Sequence, residues 1–213
     1  MSSPSPLFLR RPPFLFPPIA GVWRAQELAP VKALSTGHPA LDALLPGGGW
    51  PIGALTEVIP LTEGIGEMAI LQAALKQLCQ QSRRIIFVHP PYIPYAPALL
   101  RAGLSLSQVL WIDALDDEEA HWAAEQTLRE AAAGAVLLWS QVRAERPLRR
   151  LQLAAESGQS LAFLYRPAAA LDNGTPAALR ILLRPSADAL DVKVLKVRGG
   201  RCAEVHLALQ KRF

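Results

Sequence analysis

Between residues 54 and 164 five short apolar runs recur, each followed by a segment of different texture: 54–59 (ALTEVI), 84–88 (RIIFV), 108–112 (QVLWI), 135–139 (AVLLW) and 160–164 (SLAFL). Runs this short with little polar alternation need cover on both faces, which reads as strands of a parallel sheet between helical layers. The intervening stretches predict helices over 66–81, 95–102, 116–133 and 145–157; Met68, Leu71, Leu75 and Leu78 lie at helical spacing in the first. The expected fold class is therefore α/β, a mostly parallel central sheet with flanking helices. The pattern then changes. Segments 178–184, 190–198 and 202–209 read as three strands without helices, the last two joined by a Gly199-Gly200 turn into an antiparallel hairpin extension. Shorter helices are predicted over 22–29 and 36–45, the second stopped by Pro46 and Gly47–Gly49.

A chain of 213 residues with 51% hydrophobic and 19% charged residues can bury a large core, and global disorder is excluded. Residues 1–21 are the exception. They are proline-rich, with no unbroken apolar stretch of the kind a secretory signal needs, and read as a disordered or polyproline-like arm ahead of one domain over 22–213. Leu7, Phe8, Phe14 and Phe16 make the arm more apolar than a plain linker; docking on a partner and a dispensable tail are both open. No apolar run reaches the roughly 18–20 residues that span a bilayer, so no membrane role is expected. Cys79 and Cys202 stand apart from each other and from any histidine cluster, which fits a reducing cytoplasm. Charge is uneven. Residues 23–142 hold 7 Lys/Arg against 12 Asp/Glu, and residues 143–213 hold 13 against 6. Arginine dominates the basic set, which suits forked contacts with carboxylates or phosphates.

Most candidate clusters have a bland explanation. Asp116, Asp117, Glu118 and Glu119 start a predicted helix, where acids cap amides and oppose the dipole, so no metal site is assigned to them with His121. His38, His89, His121 and His206 lack zinc spacing. Ser140 lacks a nucleophile elbow, and no His/Asp pair can be placed beside it from sequence. Trp50, Trp111 and Trp139 are expected in the core. Trp23 is a candidate interface anchor, with burial on its own domain as the alternative. Arg143, Arg146 and Arg150 at i, i+3 and i+7, with Arg149 beside them, would form a basic helix face for an acidic protein or a DNA backbone. Arg166, with Arg180 and Arg184, is a further candidate for weak, nonspecific phosphate contacts.

The segment LSTGHPALDALLPGGGWPIGALTEVI, residues 34–59, resembles the entry of the RecA core, where a helix and a glycine-rich turn lead by a strand into the phosphate-binding loop. With Val22-Trp23-Arg24, residues 35–57 resemble more closely the ImuA family, RecA-like accessory proteins of bacterial translesion DNA synthesis. A weaker likeness extends to SulA, the cell-division inhibitor. The resemblance covers roughly 22–209 and implies a RecA-like core. Aligned on Gly66, the loop pattern GxxxxGK[ST] has Pro60 for its first glycine, Glu67 for its lysine and Met68 for its magnesium-binding hydroxyl. An acid in the lysine's place reverses an interaction worth on the order of 4 kcal/mol per charge pair near 4 Å. By the same resemblance a catalytic glutamate should follow strand 84–88, where His89-Pro90-Pro91-Tyr92 stand, and an aspartate should end the fourth strand, where Leu138-Trp139-Ser140 stand. The expectation is a pseudo-ATPase with no cofactor.

The function implied by the resemblance is a non-catalytic adaptor in SOS-type DNA-damage tolerance. It would assemble a mutasome with an ImuB-like, Y-family-related protein and an error-prone DnaE-type polymerase, with contact to RecA or DNA left open. The alternatives are a SulA-like inhibitor binding FtsZ and an ATP-dependent recombination regulator.

Overall fold

The computed structural model describes residues 31–130, 132–187 and 189–208. The proline-rich arm, the predicted helix 22–29 and Trp23 lie outside these residues. The described elements are β1 (Ala33–Leu34), α1 (Pro39–Asp42), β2 (Trp50–Pro51), β3 (Ala54–Pro60), α2 (Gln72–Gln80), β4 (Arg84–Val88), α3 (Ala96–Arg101), β5 (Val109–Ile112), α4 (Asp117–Arg129), β6 (Ala133–Trp139), α5 (Glu145–Gly158), β7 (Leu161–Tyr165), β8 (Leu179–Ser186), β9 (Ala189–Val197) and β10 (Glu204–Ala208). Eight strands form one sheet in the order β10-β9-β8-β3-β7-β6-β4-β5, parallel from β8 to β5 and antiparallel at β9 and β10. The α/β class and the antiparallel ending agree with the sequence expectation.

The strands have the composition that two-sided burial demands. On one face Val58, Ile85, Phe87, Leu137 and Phe163 pack with Leu71, Leu75 and Leu78. On the other, Leu55, Ile86, Val136 and Leu164 pack with Leu128 of α4 and Leu151 of α5. Helices α4 and α5 run so close that a Cβ on Gly158 would lie 1.8 Å from the Leu128 carbonyl oxygen, so only glycine fits there.

Several boundaries differ from expectation. The helix predicted over 36–45 is one turn, Pro39–Asp42, because Thr36 N–H is drawn to the Asp42 carboxylate (2.8 Å) and Ser35 Oγ to its other oxygen (2.6 Å). Flanking it, β1 and β2 pair as a small antiparallel sheet. Helix α4 ends at Arg129 instead of 133, since Ala133 enters β6 opposite Arg84. Gly199-Gly200 is not a two-residue hairpin turn. β9 keeps pairing with β8 as far as Val197, whereas β10 pairs only with 189–193, so residues 198–203 make the connection. The tight connection lies between β8 and β9, where Ser186 stands opposite Ala189.

Candidate functional site

The carboxyl ends of the parallel strands are where α/β sheets place ligands, and residues 60–68, expected to be a degenerate phosphate loop, lie there. Pro60 closes β3, and Leu61 N–H still bonds Leu183 O at 3.0 Å. Residues 61–68 then turn back with Gly64 (φ 75°) and Gly66 (φ 95°) in the left-handed region. Gly64 N–H donates to Glu67 Oε1 at 3.1 Å. Glu67 thus supplies an anion of the chain's own to a loop amide. The chain next makes a 3-10 turn over Ala69–Leu71, and α2 begins only at Gln72. The amide-rich helix start that draws phosphates is displaced from the loop, and the helix predicted from 66 is correspondingly shorter.

Beneath the loop is an aromatic stack. Trp139 lies on Tyr165 with ring centroids 4.7 Å apart and planes 7° from parallel, and Phe87 lies on Trp139's neighbouring side at 6.1 Å and 14°. Tyr165 Oη donates to Glu67 O at 3.2 Å and approaches Met68 Sδ at 3.6 Å. Burial pushes the Tyr165 phenol up, with the Glu67 charge adding to it, so the hydroxyl stays protonated and keeps donating. Met68 packs against the main core. Glu67, Met68 and Trp139, which the RecA resemblance set against a lysine, a hydroxyl and an aspartate, are here a carboxylate bonded to its own loop, a thioether and a stacked indole.

After β4, His89 has φ 51°; its N–H donates to Ile112 O at 2.9 Å and its Nδ1 lies 3.0 Å from Ala114 O. Tyr92 Oη donates to Glu63 Oε2 at 3.4 Å, tying this loop to the one after β3.

Sequence reasoning found no partner for Ser140; the structure provides one. His121 on α4 places Nε2 at 2.8 Å from Ser140 Oγ, which also accepts from Val142 N–H at 3.1 Å. The other ring nitrogen, Nδ1, is buried and has no partner among the described residues. Burial lowers the His121 pKa; Arg166 and Arg150 lower it further, against a smaller raising effect from Asp117 than that of burial. Asp117, Glu118, His121, Trp122, Val142 and Arg150 line a cleft of about 450 Å³ beside this pair. A second cavity, about 350 Å³, lies at the opposite end of the strands between Val31, Ile52 and Gln159. Asp116 caps α4, accepting from Glu119 N–H at 2.9 Å, as its acidic run predicted.

The arginines separate into two kinds. Arg143 lies ahead of α5, so it does not share the helix face expected for 143, 146 and 150. Arg143, Arg146, Arg149 and Arg150 are all exposed. Arg149 bonds Glu145 at 2.6 Å and Arg150 bonds Glu125 of α4 at 2.5 Å, leaving Arg143 and Arg146 without an ion pair among the described residues. Arg166 is turned inward, contrary to its expected role as a phosphate contact. It donates to Glu57 Oε1 at 2.7 Å and to Val142 O at 2.9 Å. Arg180 Nε lies 3.1 Å from Glu57 Oε2, and its guanidinium donates to Ala170, Leu171 and Asn173 carbonyls. Arg184 pairs with Glu204. Glu57 went unnoticed in the sequence, although one acid inside an apolar strand signals a buried, paired charge. Trp50 and Trp139 pack inside as expected, but Trp111 is exposed because β5 is the edge of the sheet.

No helix among the described residues is long and apolar enough to cross a membrane. Two curated proteins from Caulobacter vibrioides, both named "Protein ImuA" (strains NA1000 / CB15N and ATCC 19089 / CIP 103742 / CB 15), are each 27% identical to this chain over 154 residues. The matched region covers 69% of this chain and 63% of each relative, so less than two thirds of their length is represented. The family described as "Cell division inhibitor SulA" matches residues 53–162, from the entry of β3 into β7, which includes the loop after β3, Phe87 and Trp139 of the aromatic stack, and the His121–Ser140 pair. Since that match spans more than half of the chain, the protein belongs to the SulA family and is ImuA/SulA-related.

Proposed function

We propose that this protein is a non-catalytic, RecA-like adaptor in DNA-damage tolerance, which recruits an ImuB-like protein and, through it, an error-prone DnaE-type polymerase. The observation that carries the reading is the Glu67 carboxylate bonded to Gly64 N–H: the loop meets its own amide with its own anion and repels a second one. The likeness to the proteins named ImuA supports the pathway. In this reading the surface works by binding, and the Arg143–Arg146 pair, without an ion pair among the described residues, is its electropositive contact for an acidic partner or a DNA backbone.

The test is co-expression with the ImuB-like protein of the same cell and purification through a tag on one partner. A stoichiometric complex is expected; absence of a complex in both tagging orientations overturns the adaptor reading. A second reading, an inhibitor that binds FtsZ, is supported by the family match over 53–162. Overproduction that makes cells filament, with FtsZ co-purifying, would favour it.

A further inference from the structure

The start of α4 carries more acid than its cap consumes. Asp116 accepts from Glu119 N–H at 2.9 Å, and Glu119 Oε2 accepts from Leu115 N–H at 2.7 Å, so these two residues complete the cap between them. Asp117 and Glu118 are spare. Asp117 accepts from Gln141 N–H with one oxygen at 3.3 Å, and neither carboxylate has an ion pair among the described residues. With His121, Trp122 and Glu125 they form a stripe along α4, which with Val142, Pro147 and Arg150 lines the cleft of about 450 Å³.

The stripe ends differently at its two extremes. Glu125 lies about 12 Å along the helix from Asp117 by helical rise, and it is engaged by Arg150 at 2.5 Å and Arg129 at 2.8 Å. That end is neutralised. At the other stand the two spare carboxylates, the Trp122 indole at 59% exposed, and His121. His121 is only 8% exposed, yet Nδ1 has no partner, Nε2 being turned to Ser140. A buried ring nitrogen left unbonded costs free energy unless something in the cleft meets it. Burial lowers the pKa, and the neutral ring presents Nδ1 as an acceptor when its proton sits on Nε2, toward Ser140 Oγ.

Two anions, an aromatic face and a ring acceptor are the complement of a guanidinium. It is planar, stacks on indole and offers its donors in a fork, which a lysine ammonium does not. An anion would be repelled by Asp117 and Glu118. Small free ligands are mostly enclosed by their sites, whereas Trp122 stands half open at the rim, so the guanidinium belongs to a larger body. Tryptophan and arginine are also the side chains that dominate protein interfaces.

We propose that the Asp117–Glu118 end of this cleft receives an arginine side chain of a partner protein, stacked on Trp122 and bonded to the two carboxylates and to His121 Nδ1. Arg143 and Arg146 adjoin Val142 and Pro147 in the chain without lining the cleft, so the acidic cleft and the basic pair are separate contacts. The inference does not rest on the adaptor reading.

Titration of the full chain with the peptide acetyl-Gly-Arg-Gly-amide, followed by heteronuclear NMR, tests it without any partner protein, so its outcome is separate from that of the co-purification. Saturable shifts of the Trp122 indole N–H are expected, with weaker binding of the matching lysine peptide and of the peptide carrying citrulline, the uncharged isostere. Glu118→Gln and Trp122→Ala each weaken binding about three-fold, the size of one exposed charge pair or cation–π contact. Both side chains are exposed, so an unchanged Tm is expected and checks the fold. Absence of a saturable shift, equal binding of the citrulline peptide, or unchanged binding in both variants overturns the inference. Free arginine that binds as tightly as the peptide overturns the partner protein as its source and makes the cleft a small-molecule site.

Discussion

Glu57 and Arg166 meet at 2.7 Å with side chains 0% and 1% exposed, at the centre of the sheet's carboxyl edge. Arg180 shares the same carboxylate. A buried charge left without its partner is strongly unfavourable. Arg166→Ala should cost about 3 kcal/mol, or roughly 10 °C in Tm for a domain of this size. Urea denaturation and thermal melting check this. A fully stable Arg166→Ala variant with weakened DNA binding would return Arg166 to the surface role that its sequence context suggested.

Nucleotide should leave stability unchanged. A ligand at 100 times its Kd adds about 2.7 kcal/mol to the folded state. With Glu67 bonded to Gly64 and the Trp139–Tyr165 stack beneath the loop, no shift in Tm is expected at millimolar ATP and magnesium. The single change Glu67→Lys should not restore binding, because Met68 and Pro60 still deny the loop its magnesium hydroxyl and first glycine. A clear ATP-dependent shift in the parent chain would revive an ATP-dependent activity.

His121 makes stability depend on pH. Its folded pKa lies below the ordinary 6.5, chiefly because burial disfavours the imidazolium. The unfolded chain therefore binds the proton more readily. Stability is fully present above about 6.5 and declines as pH falls through that value toward the folded pKa. His38 shifts the same way through burial, but it is less enclosed. Urea midpoints measured from pH 8 to pH 5.5 should fall, and His121→Gln should flatten the decline while lowering the whole curve through loss of the Ser140 bond. An unchanged slope in His121→Gln would assign the pH dependence elsewhere.

The two kinds of exposed arginine should behave differently. Arg150→Ala removes one of two guanidiniums from Glu125, whose side chain is only 7% exposed, at a cost of about 1 kcal/mol. Arg143→Ala with Arg146→Ala should leave stability within about 0.5 kcal/mol, since neither has an ion pair among the described residues. If the adaptor reading holds, the second variant loses partner affinity at unchanged Tm. Retained affinity in a pull-down would reduce the pair to a solvated surface.

Much of the site was legible because its signals are local. Which residues occupy 60–68 is plain from the chain alone, and the cap at Asp116 follows from an acidic run before a helix. The His121–Ser140 pair was not legible. The two residues are nineteen apart, on α4 and at the end of β6, and only packing of that helix on that strand joins them. Trp111 misled for a related reason: an apolar pentapeptide looks the same in a central strand and at an edge, and strand order decides which it is.

The alternation of strands and helices, the change to antiparallel strands at the end, and the acid and thioether that occupy the loop at 67 and 68 are all readable along the chain. These depend on periodicity, glycine placement and the sign of a charge, all carried by neighbours in the chain. Only the assembled fold settles that Arg166 and Arg180 face inward on Glu57, that the Gly199-Gly200 step is part of a wider connection, and that β5 ends the sheet with Trp111 exposed among the described residues. Each of these depends on which strand lies beside which. That order comes from the summed burial of the sheet faces, and no single segment encodes it.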